Sequence, residues 1–360
     1  MKIHKTTCAN FRNLADSATE LGPGANILVG DNAQGKTSFL EAIYLCATGR
    51  SLRASRERDM IRFGAEEAHA GVVMRKGQAE DRLDIHLKSN GRKAATLNDV
   101  PISRIGDLLG SLPAVTFSPE DLKLVKSGPG ERRRFLDMEL CQLDKVYCFD
   151  LQNYHRVMKQ RNLSLKSIKR APQAGDDLDM WDSQMAVLGK RIMKRRQWFL
   201  DLIAPHARSM HEKVSESKEQ LEVLYRPSVS DEEYEKKLRA NRERDTIFGS
   251  TSIGIHKDDM SISINGCDAR SFGSQGQQRT ASLAIKMAEI DLIRENKGTS
   301  PILLLDDILS ELDSKRQGHL VGSLTGIQSI ITCTGIEDSL KSLESSAFVM
   351  KVQNGLIAPS

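Results

Sequence analysis

The stretch Gly30-Asp31-Asn32-Ala33-Gln34-Gly35-Lys36-Thr37-Ser38 decides how the rest of the chain reads. It fits G-x-x-x-x-G-K-[ST], follows the apolar run Ile27-Leu28-Val29, and opens the helical pattern Phe39, Leu40, Ile43, Tyr44. Glycines let backbone N–H groups turn inward around phosphate oxygens, and the helix N-terminus at Lys36 adds its dipole to that anion site. Lys36 is placed to reach the outer phosphates as a point charge, and Thr37 to offer a hydroxyl to Mg²⁺. A strand, a loop of this kind and a helix in sequence predict a nucleotide-binding α/β domain.

A second stretch completes the first. Pro301-Ile302-Leu303-Leu304-Leu305-Asp306-Asp307 reads as a strand buried on both faces, ending in two carboxylates. The C-terminal ends of such strands are where open α/β sheets bind ligands. Asp306 is the candidate metal partner, and Asp307, on the opposite face, the candidate for positioning an attacking water. Between these stretches and just before the apolar strand lies Ser274-Gln275-Gly276-Gln277, a small polar loop that opens a helix with Leu283, Met287 and Ile290 on one side. Read alone, Ser274 there is an N-cap and the two aspartates are a helix cap. In this order, with a phosphate loop upstream, the three make a nucleotide site.

About 270 residues separate Lys36 from Asp306, so something large is inserted between them. Leu83, Ile85 and Leu87 alternate with polar residues and run into Asn90-Gly91, a hairpin signal, which places an antiparallel piece beside the first strand. From Pro119 to about Arg244 the pattern is helical: Trp181, Met185, Leu188 and Ile192 share one face and read as packed core, Pro205 predicts a kink or an end, and residues 171–179 read as a loop. Strands return at Met260–Ile264, Ile302–Leu305 and Ser329–Thr332. The predicted organisation is a discontinuous α/β head over 1–115 and 246–360, split by a helical insertion over 116–245.

Composition narrows the function class. The chain has 360 residues, 39% hydrophobic and 28% charged, with a formal net charge of only +4, which excludes a uniformly basic polyanion binder. No apolar run approaches a membrane span and the start lacks a signal-peptide pattern. The six cysteines are scattered and form no CxxC pair, which fits a reducing cytosol. Positive charge is concentrated: residues 151–200 carry 11 Lys and Arg against 4 Asp and Glu. Lys190, Arg191, Lys194, Arg195 and Arg196 are predicted as a basic stripe for DNA phosphates, with Arg132, Arg133 and Arg134 as the competing cluster.

These motifs, in this order and closed by Ser310-Glu311-Leu312-Asp313, resemble the ATP-binding-cassette architecture with its signature loop and D-loop. Asn10-Phe11-Arg12-Asn13-Leu14 is similar to the start of SMC-like DNA-repair ATPases. Ser118-Pro119-Glu120-Asp121-Leu122, Arg132 to Asp137 and Ser274 to Arg279 resemble the RecF family over essentially the whole chain. The resemblance implies an ABC-type head with a mixed sheet and an antiparallel β-subdomain, plus the helical domain. It implies a bacterial cytoplasmic protein of DNA repair, replication and recombination that binds ATP, Mg²⁺ and gapped DNA. It also implies an ATP-driven head-to-tail homodimer that acts with RecR and RecO to load RecA recombinase. By matching position, Arg12 and Asn13 would lie by the nucleotide, Ser274 to Gln277 would reach the γ-phosphate held by the other subunit, and Asp313 would lie at the dimer seam.

The chain also departs from the general cassette pattern. Gln275-Gly276 stands for a Gly-Gly pair, Asp307 for the usual Glu, Thr332 to Thr334 lack a histidine, and Ser118 to Asp121 lack a glutamine. These departures imply slow hydrolysis, with Asp307 and Lys36 as the catalytic pair. Competing readings are a transporter's ATPase subunit, which calls for the missing Gln and His, an SMC-type head, which calls for a long coil, and a binding module with a decayed ATP site.

Overall fold

The computed structural model describes residues 1–53, 56–170, 177–335, 340 and 347–360. The described chain divides into two compact units: Met1–Asp121 with Lys286–Ser360, and Leu122–Ile285.

The first unit is built on two six-stranded sheets. One has the spatial order Leu356–Pro359, Phe348–Gln353, Ala25–Val29, Ser329–Cys333, Ile302–Asp306, Ala114–Phe117. All neighbours are parallel except the hairpin at the chain's end. Every residue of Ile302–Asp306 and of Ser329–Cys333 is buried, as befits central strands covered on both faces, and the first reads as an apolar run up to Leu305. Register sets the site: Cys333 lies opposite Val29, and Thr332 opposite Asp306, so the strand before the phosphate loop and the strand bearing the carboxylates finish level.

The other sheet is antiparallel, in the order Ser17–Glu20, Lys2–Ala9, Glu67–Lys76, Ala79–Lys88, Lys93–Leu97, Val100–Pro101. The predicted hairpin is Ala79–Lys88 with Lys93–Leu97, turned at Gly91 with φ +80°. Leu83, Ile85 and Leu87 face inward and share a core with Phe39, Leu40 and Ile43 of the helix Lys36–Thr48. Burying side chains of this size contributes about 1.5–3 kcal/mol each, so the helix that carries Lys36 and Thr37 is anchored along its length.

The second unit holds the helices Pro129–Leu143, Lys145–Arg170 and Leu178–Ser215, and a three-stranded sheet ordered Cys267–Asp268, Asp259–Ile264, Leu221–Arg226. It extends to Ile285 because Asp259–Ile264 pairs along its whole length with Leu221–Arg226, a strand whose Leu221, Val223 and Tyr225 are buried in alternation. That strand was absent from the sequence reading, and it accounts for the difference from the predicted boundary at 245. The helix Leu178–Ser215 runs through Pro205, so of the two expectations there the end does not occur. Pro205 and Asp201, whose carbonyl loses its helical partner, are both exposed, so water satisfies it.

Two buried arginines organise this unit. Arg161 is fully enclosed and donates to Asp182, Asp245 and the Thr251 hydroxyl at 2.6, 2.7 and 2.9 Å. Arg196 pairs with Asp137 at 2.7 Å and Asp258 at 3.2 Å. Removing one partner of such a network strands a buried charge and costs about 3–5 kcal/mol.

Candidate functional site

The phosphate loop leaves Val29 at Gly30, where a Cβ would lie 2.3 Å from the Val352 carbonyl oxygen, and ends at Gly35 with φ +114°. Only glycine fits either position. The loop is braced from both ends of the chain. Asn13 Nδ2 donates to the Ala33 carbonyl at 2.8 Å and Ser38 Oγ donates to Asn13 Oδ1 at 2.7 Å. The turn at Asn354-Gly355 donates its N–H groups to Gln34 Oε1 and the Gln34 carbonyl at 2.6 and 2.9 Å. Lys36 is buried and its ammonium donates to the carbonyls of Gly30 and Asp31 at 2.6 and 3.2 Å. The result is a cavity of about 170 Å³ lined by Asn32, Thr37, Arg53 and Asp307 among others.

Thr37 Oγ1 donates to Asp306 Oδ1 at 2.6 Å, while the Arg53 guanidinium holds Asp306 Oδ2 at 2.5 Å. Asp306 is buried, and Arg53 is the cation facing it. A hydroxyl and a carboxylate side by side are oxygen ligands of the kind Mg²⁺ takes, with the remaining positions left to phosphates and water. The pair fits that ion, and the charge of Arg53 marks the place where a cation is favoured.

Asp307 has φ +48°, a strained conformation for a non-glycine residue. Its N–H donates to Thr332 Oγ1 at 2.9 Å. The single Thr332 proton has three acceptors in range: the Leu305 carbonyl and Asp306 Oδ1, each 3.3 Å away, and Asp307 Oδ1 at 3.4 Å. Thr332 thus ties the Asp307 backbone to the neighbouring strand and offers its one proton to the acceptors around it. Asp307 lines the loop cavity and also an adjoining one of about 290 Å³ that reaches Ser310 and Thr334.

The other expected residues do not line the loop cavity of this chain. Arg12 makes a two-pronged pair with Glu41 at 2.8 and 3.1 Å and also reaches the Asp59 carbonyl. Glu41 in turn accepts from the Ser51 hydroxyl, and Ser51 Oγ accepts from the Arg53 N–H at 3.0 Å, so Arg12 connects to the site through Arg53. Asp313 caps the helix Ser314–Ser323, accepting from the Arg316 N–H at 2.9 Å. Ser274 and Gln277, in the second unit, form a reciprocal capping box: Gln277 Oε1 accepts from the Ser274 N–H at 2.8 Å and Ser274 Oγ from the Gln277 N–H at 3.2 Å. Enclosure pushes the Asp121 carboxyl up to about 6, against the opposing pull of Lys286 and the Ser118 N–H.

The predicted basic stripe loses one of its five members. Arg196 is 1% exposed and belongs to the buried network above. Arg195 pairs with Asp144 at 2.7 Å, and Arg191 and Lys194 lie 3.8 Å from Asp150 and Asp231. Arg132 grips Asp259 at 2.7 and 2.9 Å, Arg133 donates to the Asp258 carbonyl, and Arg134 is exposed. Arg53, Thr332 and the Asn354-Gly355 turn are the site elements that sequence reading missed.

With this geometry in view, comparisons place the chain among known proteins. Residues 2–358 match the family described as RecF/RecN/SMC N terminal domain. The DNA replication and repair protein RecF of Lachnoclostridium phytofermentans is 45% identical over 357 residues, 99% of each chain. That of Clostridium botulinum is 41% identical over 363 residues, again 99% of each chain. A solved structure of the recombination mediator protein RecF with ATP, from the RecFOR pathway, superposes with a TM-score of 0.92 at 33% identity, covering 99% of this chain and 97% of that one. The Smc head domain of Pyrococcus furiosus has a TM-score of 0.58 at 16% identity, over 99% of this chain and 95% of that one, a likeness of fold alone.

Proposed function

The chain belongs to the RecF family of DNA replication and repair proteins, ABC-type ATPases of the RecF/RecN/SMC class, and we propose that it works as a slow, ATP-gated DNA-binding switch of recombinational gap repair. The observation that carries this reading is the 2.6 Å contact between Thr37 Oγ1 and Asp306 Oδ1, two residues that the chain keeps 269 positions apart.

ATP binds with its phosphates in the Gly30–Gly35 loop. The Lys36 ammonium exchanges the uncharged Gly30 and Asp31 carbonyl acceptors for anionic phosphate oxygens, so that opposite charges pair. Thr37 and Asp306 would hold Mg²⁺, which would supply positive charge beside the phosphates. Asp307, aligned by Thr332, orients the attacking water and accepts its proton, so ATP and water give ADP and phosphate. A carboxylate one methylene shorter than Glu, with no histidine nearby on the strand Ser329–Cys333, performs that step slowly.

Ser274 to Gln277 of a second copy close over the γ-phosphate, with Asp313 at the seam, which makes ATP part of a head-to-tail dimer interface. The dimer holds gapped DNA and works with RecR and RecO toward loading RecA, and hydrolysis resets it. Titration calorimetry tests the first step. Mg²⁺·ATP should bind the wild type, and Lys36→Ala should weaken binding about tenfold or more through loss of a charge-assisted contact of about 1.5–3 kcal/mol. Equal affinity of the two proteins would overturn the site assignment.

A further inference from the structure

The helices Lys145–Arg170 and Leu178–Ser215 lie against each other, and a groove of about 720 Å³ opens along one side of the pair. Its walls include Val157, Trp181, Val187 and Leu188, with Arg156 and Gln160 at the edge. Trp181 and Leu188 were expected to be packed core. Instead Met185 and Ile192 are fully buried while Trp181 and Leu188 turn partly out into this groove. Trp181 Nε1 is itself buried and has no hydrogen-bond partner among the described residues. A buried donor without a partner is costly, and it is normally matched by an acceptor.

The same side carries an unusual amount of exposed apolar surface. On the first helix Val146 and Phe149 are 54% and 48% exposed, and they continue at +4 and +3 into Asn153 and Arg156 of the groove wall. On the second, Val187 is 52% exposed and Trp198, at +11, is 41% exposed on the same stripe. Arg191 also lies on that stripe, 3.8 Å from Asp150 of the first helix. Exposed apolar side chains that are contiguous and rimmed by charge mark an interaction surface.

We infer that this groove docks an acidic amphipathic helix of a protein partner, laid alongside the two helices as a third. Three features select that occupant. The groove is the space between two helix ridges, which a third helix fills with side chains at i, i+3, i+4 and i+7. The rim is cationic, with Arg156 on the groove and Arg191, 62% exposed, further along the second helix. The floor is apolar, and a DNA backbone offers nothing to bury there.

The test uses a property of this chain: it has two tryptophans, Trp181 and Trp198, and both are on this side. Their emission is followed while the full-length protein is titrated with a Leu/Glu amphipathic peptide of about 18 residues, long enough to form a helix on the surface. A Leu/Lys twin of the same pattern and a DNA duplex are titrated alongside. The expected result is a saturable blue shift with the acidic peptide, about tenfold tighter than with the basic twin. Val187→Glu, at an exposed position, should lose that response, and Arg156→Glu with Arg191→Glu should reverse the preference. Equal response to both peptides, no response to either, or a duplex response that Val187→Glu leaves intact would overturn the inference. So would an emission shift that tracks protein concentration alone, since the occupant would then be a second copy of this chain.

Discussion

Arg53 Nη2 rests 2.5 Å from Asp306 Oδ2, on the buried carboxylate whose other oxygen accepts from Thr37. A cation therefore already stands where the metal ion of the proposed site would sit. The segment that carries Arg53 is held in turn by the Ser51 hydroxyl, Glu41 and Arg12.

Arg53→Ala should leave the Asp306 carboxylate facing only the Thr37 and Thr332 hydroxyls among the described residues. Arg53 is 55% exposed, so the loss should be modest, about 1 kcal/mol. The distinguishing readout is rescue: Mg²⁺ without nucleotide should raise the melting temperature of the variant more than that of the wild type. Equal Mg²⁺ responses in thermal unfolding would show that Arg53 and the ion do not share the carboxylate.

Asp307→Asn keeps the metal ligands Thr37 and Asp306 and removes the proton acceptor. Steady-state turnover of the wild type should already lie well below the ~10 s⁻¹ enzyme median. The variant should be slower by a further factor of about 100 or more, with ATP affinity little changed. An Asn variant that turns over at the wild-type rate would remove Asp307 from the mechanism.

The second unit should be sensitive to acid through His256. Burial lowers its pKa from 6.5 to about 4. The neutral ring donates from Nε2 to the Thr251 carbonyl at 3.1 Å and accepts at Nδ1 from the Tyr154 hydroxyl at 3.2 Å. A base whose folded pKa is depressed binds more protons when unfolded, so its contribution is complete above pH 6.5 and is lost as pH falls toward 4. The loss is about 3 kcal/mol across that window. Urea unfolding between pH 7 and 4 should show it, and His256→Gln should flatten the slope. A slope that the variant leaves unchanged would assign the acid lability elsewhere.

The phosphate loop and the carboxylate strand were legible because each is a local pattern whose chemistry needs adjacent residues. Arg53, Thr332 and Asn354 were not, because their partners lie 253, 25 and 320 positions away and no local spacing signals such contacts. Arg196 was misread although a signal existed. It lies +4 from Ile192 and +7 from Gly189, on the buried face, so periodicity outranked charge there. Likewise Leu221, Val223 and Tyr225 alternate with polar residues, a strand pattern hidden inside a helical stretch. Trp181 and Leu188 shared a face with Met185 and Ile192, yet they sit at its margin, where a side chain can turn outward.

The composite site is tested most directly by complementation in light scattering. Lys36→Ala should bind ATP poorly but keep an intact Ser274–Gln277 loop. Ser274→Arg should bind ATP but place bulk and charge where the γ-phosphate of the other subunit docks. With Mg²⁺·ATP, each variant alone should remain at 40.0 kDa while the wild type doubles in mass. An equal mixture of the two variants should form dimers, because one sound phosphate loop then meets one sound Ser274–Gln277 loop. A mixture that stays monomeric while the wild type dimerises, or a Ser274→Arg protein that dimerises with ATP by itself, would contradict a site shared between subunits.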